Sequence, residues 1–404
     1  MKVDINSLRL GLLFFLPYTA FLGVAALPTW RIVNILFVVV SFAFLKVNTK
    51  NLKPELLTFT QALFFIFCLF QVMFLWDADK AGSYEVIFLF SLVILFSFCY
   101  FFFELLNTAA LRVMNTLYYS VVVLIIYQLY QQVVFQLGKW PLAVILNERG
   151  IYENATFFRV IGGILGPAGF MAEAGHVALF LGPLMMILFL MDYYQLIKVN
   201  KKFMYLCLFS LIICLSGGAV IHLFFAGILL VIINFRKLNW QAIGIMFGAA
   251  LFFAAVLYAI PAYQEVITYR FTSIFTGDSE RIRGAEIFIS VFQEYPWFGM
   301  APKASRYLSA DPNVFIPVML ADHGIIGVFF LMVMWFLPTI YAWRISERKL
   351  FIIPFFSLTT HLFLAYGTYT WSIIWINITL ILWCLTYEKV SVTKKQQLIY
   401  GRAN

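Results

Sequence analysis

The sequence predicts an all-α fold, a polytopic transmembrane helical bundle of about 12 spanning helices with a large outer loop that contains short helices. Composition is the first observation behind this. Of 404 residues, 63% are hydrophobic and only 12% charged, and mean hydropathy is +0.92, whereas about a quarter of the residues in soluble domains are charged. The second is the grouping of apolar residues into runs of about 20, the length a helix rising 1.5 Å per residue needs to cross ~30 Å of hydrocarbon. The third is the segregation of cations between the connections of those runs.

Taken in chain order, the runs cover roughly residues 8–26, 30–46, 56–75, 86–106, 113–135, 167–191, 203–216, 218–235, 240–260, 317–340, 350–368 and 371–387. The seventh and eighth require a tight turn at Ser216-Gly217-Gly218; without it the chain has eleven spans and its ends lie on opposite sides. With both ends on the inner side, eighteen Lys and Arg fall inside and ten outside, and every inner connection carries a cation, as the positive-inside rule expects. The same arrangement leaves thirteen of nineteen carboxylates outside. The net charge of +9 is therefore a topology signal, with no basic tract for nucleic acid. The first run is too long for a secretory h-region and reads as a retained helix. All five cysteines lie in apolar runs without CxxC spacing and read as packing residues, with no disulfide framework or metal site expected.

Within one integral membrane domain spanning 1–404, two outer loops stand apart, 136–166 and 261–316. Connections beyond about 15 residues are uncommon without a role. Ile282, Ile287, Phe288 and Val291 recur at near-helical spacing before the breaker Tyr295-Pro296, so Glu280 to Phe292 reads as an amphipathic helix at the outer interface; a solvated tether is the plainer alternative.

The polar chemistry concentrates on the outer side, where all four histidines fall. Glu173 and His176 are three residues apart early in the sixth span, so they share one helical face about two turns below the outer surface. Asp322 and His323 open the tenth span. Carboxylates inside a membrane segment cost about 2.5–3.5 kcal/mol on insertion scales and so face a partner or a wet cavity. Glu173, His176, Asp322 and His323 are accordingly the candidate catalytic residues, and the two pairs form one site if their helices are neighbours. Arg159, Arg281 and Arg283 surround them as candidate phosphate ligands, since guanidinium offers a fork of donors and stays charged. Plainer readings stand beside these: a structural Glu173–His176 pair, a helix cap at Asp322, an interfacial anchor at Arg159, and solvated cations at Arg281 and Arg283. His222 and His361 read as lone packing histidines. There is no Gly-rich phosphate loop, so no cofactor is expected and any activated donor is itself a lipid.

Two stretches resemble a known family. Gly169-Phe170-Met171-Ala172-Glu173-Ala174-Gly175-His176-Val177-Ala178 is similar to the Gly-Phe-x-x-Glu-Pro-Ser-His-x-Ala pattern of bacterial O-antigen and capsule polysaccharide polymerases of the Wzy type, in the O-antigen ligase/polymerase superfamily. Glu280-Arg281, Pro296-Trp297-Phe298-Gly299, Asn313 and Leu320 to Val328 resemble that family's loop arginine, its Pro-x-x-Gly element and its acidic-x-Gly-Ile-Ile-Gly helix start. Many relatives carry arginine where Gly166 stands and proline where Ala174 stands, so Arg159 is a candidate for the missing charge. Pro312-Asn313 replaces the His-Asn pair typical of ligases.

The resemblance implies a GT-C-like glycosyltransferase of the bacterial inner membrane, with both termini cytoplasmic and its site facing the periplasm. It implies metal-independent joining of undecaprenyl-pyrophosphate-linked oligosaccharides, with a chain-length regulator and a flippase as neighbours and no nucleic-acid partner. Arg159, Arg281 and Arg283 would hold the pyrophosphate, and Glu173, His176 or Asp322 would orient or deprotonate the acceptor. The rivals are an O-antigen ligase acting on lipid A core and, from another class, a lipid-linked oligosaccharide flippase or other transporter.

Overall fold

The structure is a computed structural model that describes residues 5–18, 29–43, 55–74, 84–139, 141, 146–147, 150–151, 159–161, 164–169, 171, 174–214, 216–236, 241, 244, 280–302, 308, 315–365 and 369–387. Among these lie eleven α-helices: α1 (Ile5–Phe15), α2 (Thr29–Ala43), α3 (Glu55–Phe74), α4 (Tyr84–Gln136), α5 (Ala174–Tyr193), α6 (Lys201–Ile213), α7 (Gly217–Arg236), α8 (Glu280–Glu294), α9 (Phe315–Ile345), α10 (Ile352–Ala365) and α11 (Ser372–Thr386). A 3-10 turn, Lys349–Phe351, leads into α10. Two short antiparallel ribbons pair β1 (Leu146–Asn147) with β2 (Gly150–Ile151), and β3 (Arg159–Ile161) with β4 (Ile164–Gly166). Among the described helices, α3, α4, α5, α7 and α9 are long and apolar enough to cross a membrane.

The 53 residues of α4 are two helical segments, because the backbone leaves helical geometry at Ala109 (φ −146°, ψ 35°). Arg9 donates to the carbonyl of Phe101 (2.7 Å) and pairs with Glu104 (2.7 Å). Five residues later the carbonyl of Phe14 accepts from Ser120 Oγ (2.8 Å). A straight helix would separate Phe101 from Ser120 by about 28 Å, whereas Arg9 and Phe14 advance only about 7.5 Å. The chain therefore turns back at Ala109. The expected break near Ser216 is also present: α6 ends before Cys214, Ser216 Oγ accepts from the Gly218 amide (3.2 Å), and α7 starts at Gly217. Most of the expected span 240–260 lies outside the described residues, as does 261–279 of the second loop.

At the centre, sixteen of the twenty residues of α5 are buried, as is α11 from Ser372 to Leu385. Their contact repairs a defect. Pro183 has no amide hydrogen for the carbonyl four residues earlier, and Asn377 Nδ2 of α11 donates to the carbonyls of Leu179 (3.4 Å) and Phe180 (3.0 Å) instead. The outer helices expose apolar side chains, among them Ile66, Met73 and Phe74 on α3, Phe224 on α7 and Phe329 on α9. Such a surface is stable in hydrocarbon and not in water.

One end of the bundle is capped by cations. Arg348 Nη1 donates to the carbonyls of Cys384 (2.8 Å) and Tyr387 (2.6 Å), and Lys349 Nζ to those of Trp343 (2.6 Å) and Arg344 (2.7 Å). Both satisfy orphan carbonyls at helix C-termini, where positive charge is favoured. Tyr194 stacks on Phe351 at the same end.

Two expectations are corrected. The helix predicted from 167 begins at Ala174, because residues 164–169 form β4 and an extended lead-in. The predicted amphipathic helix exists as α8, with Gly284 and Phe288 buried, Val291 half-buried and Ile287 exposed, because α8 packs along α9.

Candidate functional site

The lead-in to α5 is extended because three glutamines make its hydrogen bonds. Gln128, Gln131 and Gln132 share one face of the second half of α4 by their i, i+3, i+4 spacing. Gln128 Nε2 donates to the carbonyl of Pro167 (3.1 Å), and Gln132 Nε2 to that of Leu165. Gln131 exchanges two bonds with Gly169, at 2.8 and 3.2 Å. Gly169 sits at φ +62° against Leu124, a place without room for a side chain. Ser210 of α6 donates to Gln128 Oε1 (2.6 Å) and orients the first of these amides. Upstream, the β3–β4 register sets Arg159 directly opposite Gly166, a pairing that brings Cα atoms to about 5 Å.

His176 follows in the first turn of α5, buried, with its ring edge-on to Trp371 at 4.1 Å. Glu173 lies outside the described residues. Its expected pairing with His176 therefore also falls outside them.

The second half of the site is built on a break in α9. Gly324 takes φ +62° and ψ −174°, so the helix ends at His323 and restarts beyond it. A restarted helix has amide donors without intrahelical acceptors. Here Ile325 donates to the carbonyl of Pro296 (2.9 Å) and Ile326 to that of Trp297 (3.1 Å), while Met300 donates to the carbonyl of Ala321 (2.8 Å). Segment 296–300 thus fills the gap in the helix. Gly299 (φ +72°) faces the Asp322–His323 peptide and Gly324 faces Trp297, so neither position has room for a Cβ. Asp322 and His323 are both buried at this break. Asp322 lies two turns past the start of α9 at Phe315 and just before the point where the helix restarts.

Gln71 of α3 ties these parts together. Its Nε2 donates to the carbonyls of Phe298 and Asp322 (the latter at 3.1 Å), and its Oε1 lies 2.9 Å from Nδ1 of His323. Nε2 of His323 lies 3.2 Å from the hydroxyl of Tyr369. Phe64, Phe67 and Phe88 enclose the ring at centroid distances of 5.6, 6.4 and 6.2 Å.

Among the described residues α5 and α9 do not pack along one another. Tyr369-Thr370-Trp371 connects the two centres, with Tyr369 on His323 and Trp371 on His176. Arg281 and Arg283 lie in the first turn of α8, the helix that packs on α9. His222 and His361, which the sequence presents as lone residues, form a buried pair at 2.8 Å, extended by Ser357 Oγ at 2.6 Å from His222 Nδ1. Residue type alone passes over Gln71, Gln128, Gln131, Gln132, Tyr369 and Trp371. An uncharged amide inside an apolar run carries the same message as a carboxylate there, since each needs a partner in hydrocarbon.

The fold and the site together define a helical membrane protein with a buried cluster of histidine, carboxylate and glutamine at the end of the bundle opposite its cationic caps. No protein-family model matches the chain, and no curated protein matches it.

Proposed function

We propose that the protein is a polysaccharide polymerase of the Wzy type, joining undecaprenyl-pyrophosphate-linked repeat units by glycosyl transfer on the periplasmic face of the bacterial inner membrane. The observation that carries this reading is the bridging, by one short segment, of the two stretches that resemble the family. They are separated by more than a hundred residues, yet His176 from the first and His323 from the second are both engaged by Tyr369–Trp371. The pairing of Arg159 with Gly166 adds support, because relatives carry their arginine at the latter position.

In this reading twelve spans in a GT-C-like bundle leave both termini in the cytoplasm, beside the cationic caps. The acceptor sugar hydroxyl attacks the anomeric carbon of the lipid-linked chain. A carbon–oxygen bond forms there as the bond to the pyrophosphate oxygen breaks. Glu173, His176 or Asp322 takes the hydroxyl proton. Arg159, Arg281 and Arg283 neutralise the departing lipid pyrophosphate through forked, permanently charged donors. A chain-length regulator and a flippase are the expected partners.

A transporter is the second reading, favoured by the discontinuous α9, since broken helices with free half-helix ends build transporter sites. The restarted end of α9 is already occupied by the carbonyls of Pro296 and Trp297, which weighs against it. The test is purified protein in vesicles with lipid-linked repeats and no core acceptor. Glycan lengthening is expected. Transfer only after addition of a lipid A core would identify a ligase, and lipid crossing without lengthening a flippase.

A further inference from the structure

Within the buried cluster, the hydrogen bonds of Gln71 assign a proton. Its Nε2 faces two backbone carbonyls, those of Phe298 and Asp322, which can only accept. The amide orientation is thereby set, and Oε1 is the atom presented to Nδ1 of His323. A carbonyl oxygen accepts, so Nδ1 is the donor and carries hydrogen. The other ring nitrogen faces the hydroxyl of Tyr369, which is able to donate to it. Phe64, Phe67 and Phe88 pack around the ring, and both His323 and Tyr369 are about 1% exposed.

We propose that Gln71 and Tyr369 hold His323 as the neutral Nδ1–H tautomer, with Nε2 committed to the tyrosine hydroxyl, and that all three are positioning residues for Asp322. His323 is then not the base. The grip on Asp322 is direct on the backbone: Gln71 bonds its carbonyl, Gly299 packs against its peptide, and Met300 holds the carbonyl of the residue before it. Asp322 is left as the acid–base group of this half of the site, on a peptide whose position is over-determined. Tyr369 also begins the segment that reaches His176, so the same hydroxyl sets the spacing between the two centres.

The positioning role rests on the polymerase reading; the tautomer does not. The chain has four histidines, so ¹⁵N-histidine labelling with His176→Gln, His222→Gln and His361→Gln backgrounds assigns the His323 ring by solid-state NMR in lipid vesicles. One protonated nitrogen, coupled to the δ1 position, is expected. An imidazolium with two protonated nitrogens, or an Nε2–H tautomer, overturns the proposal. Tyr369→Phe should shift the Nε2 resonance and leave Nδ1 in place; no change at Nε2 counts against the tyrosine bond. If the wild type lengthens lipid-linked glycan, Gln71→Leu and Tyr369→Phe should each lower kcat by about tenfold with KM little changed, the effect of one buried hydrogen bond. His323→Gln, which keeps a neutral donor, should retain more activity than His323→Leu. If both His323 variants were as inactive as a variant lacking Asp322, His323 would be catalytic and the assignment wrong. Wild-type protein without lengthening activity sinks the polymerase reading while the NMR result stands by itself.

Discussion

Nε2 of His222 lies 2.8 Å from Nδ1 of His361, and each imidazole rests against a glycine of another helix, His222 on Gly182 of α5 and His361 on Gly218 of α7. A Cβ at either glycine would overlap the ring. Gly182→Ala and Gly218→Ala are therefore expected to destabilise the protein by about 1–3 kcal/mol, the usual cost of overpacking a close-packed interior. Gly227→Ala is the control, because a Cβ there meets nothing within 4 Å. Thermal unfolding in detergent should show a lower Tm for the first two and none for the control. Equal Tm values in all three would mean that the histidine pair is not held as described.

Asn377 is the only side chain described as donating to the carbonyl of Leu179, the one Pro183 leaves without its helical partner. Replacing it by leucine conserves volume but strands that acceptor in a dry interior. Asn377→Leu should cost about 1–3 kcal/mol, the penalty of a buried unsatisfied group. Pro183→Ala, by restoring an amide to α5, should recover part of that loss in the double variant. Additive effects of the two substitutions would count against the coupling.

Arg159 and Gly166 offer a test by transposition. They are direct partners across the β3–β4 ribbon, and directly opposed positions share a face of it. On the proposed polymerase reading, Arg159→Ala should shorten the polymer made in cells, and Arg159→Ala with Gly166→Arg should restore long chains. Gel analysis of glycan length in a strain lacking the native protein reads both. Full-length polymer from the single variant would remove Arg159 from the site.

Helices and their ends were largely legible in the sequence, and particular elements show why. Spans at 56–75 and 371–387 are long apolar runs, and α3 and α11 lie within a residue or two of them, because hydrocarbon leaves a chain of that composition few options but helix. The reversal at Ser216 follows from two adjacent glycines. The lead-in to α5 was not legible: Leu165 to Gly169 is as apolar as a span, and only glutamines nearly forty residues away draw it into extended form. The gap in α9 is similar, since Gly324 gains its left-handed conformation through carbonyls supplied by Pro296 and Trp297.

The sequence by itself determined that this chain folds as helices apolar enough for a membrane, and it set the expectation that cations gather toward one end and histidines toward the other. These depend on local composition and on the solvent each segment must occupy. The tertiary structure decided which polar groups meet: Gln71 with His323, Tyr369 with His323, Trp371 with His176, and His222 with His361. A buried hydrogen bond is a property of two groups brought together by packing, and neither carries its partner's identity in its own stretch of sequence.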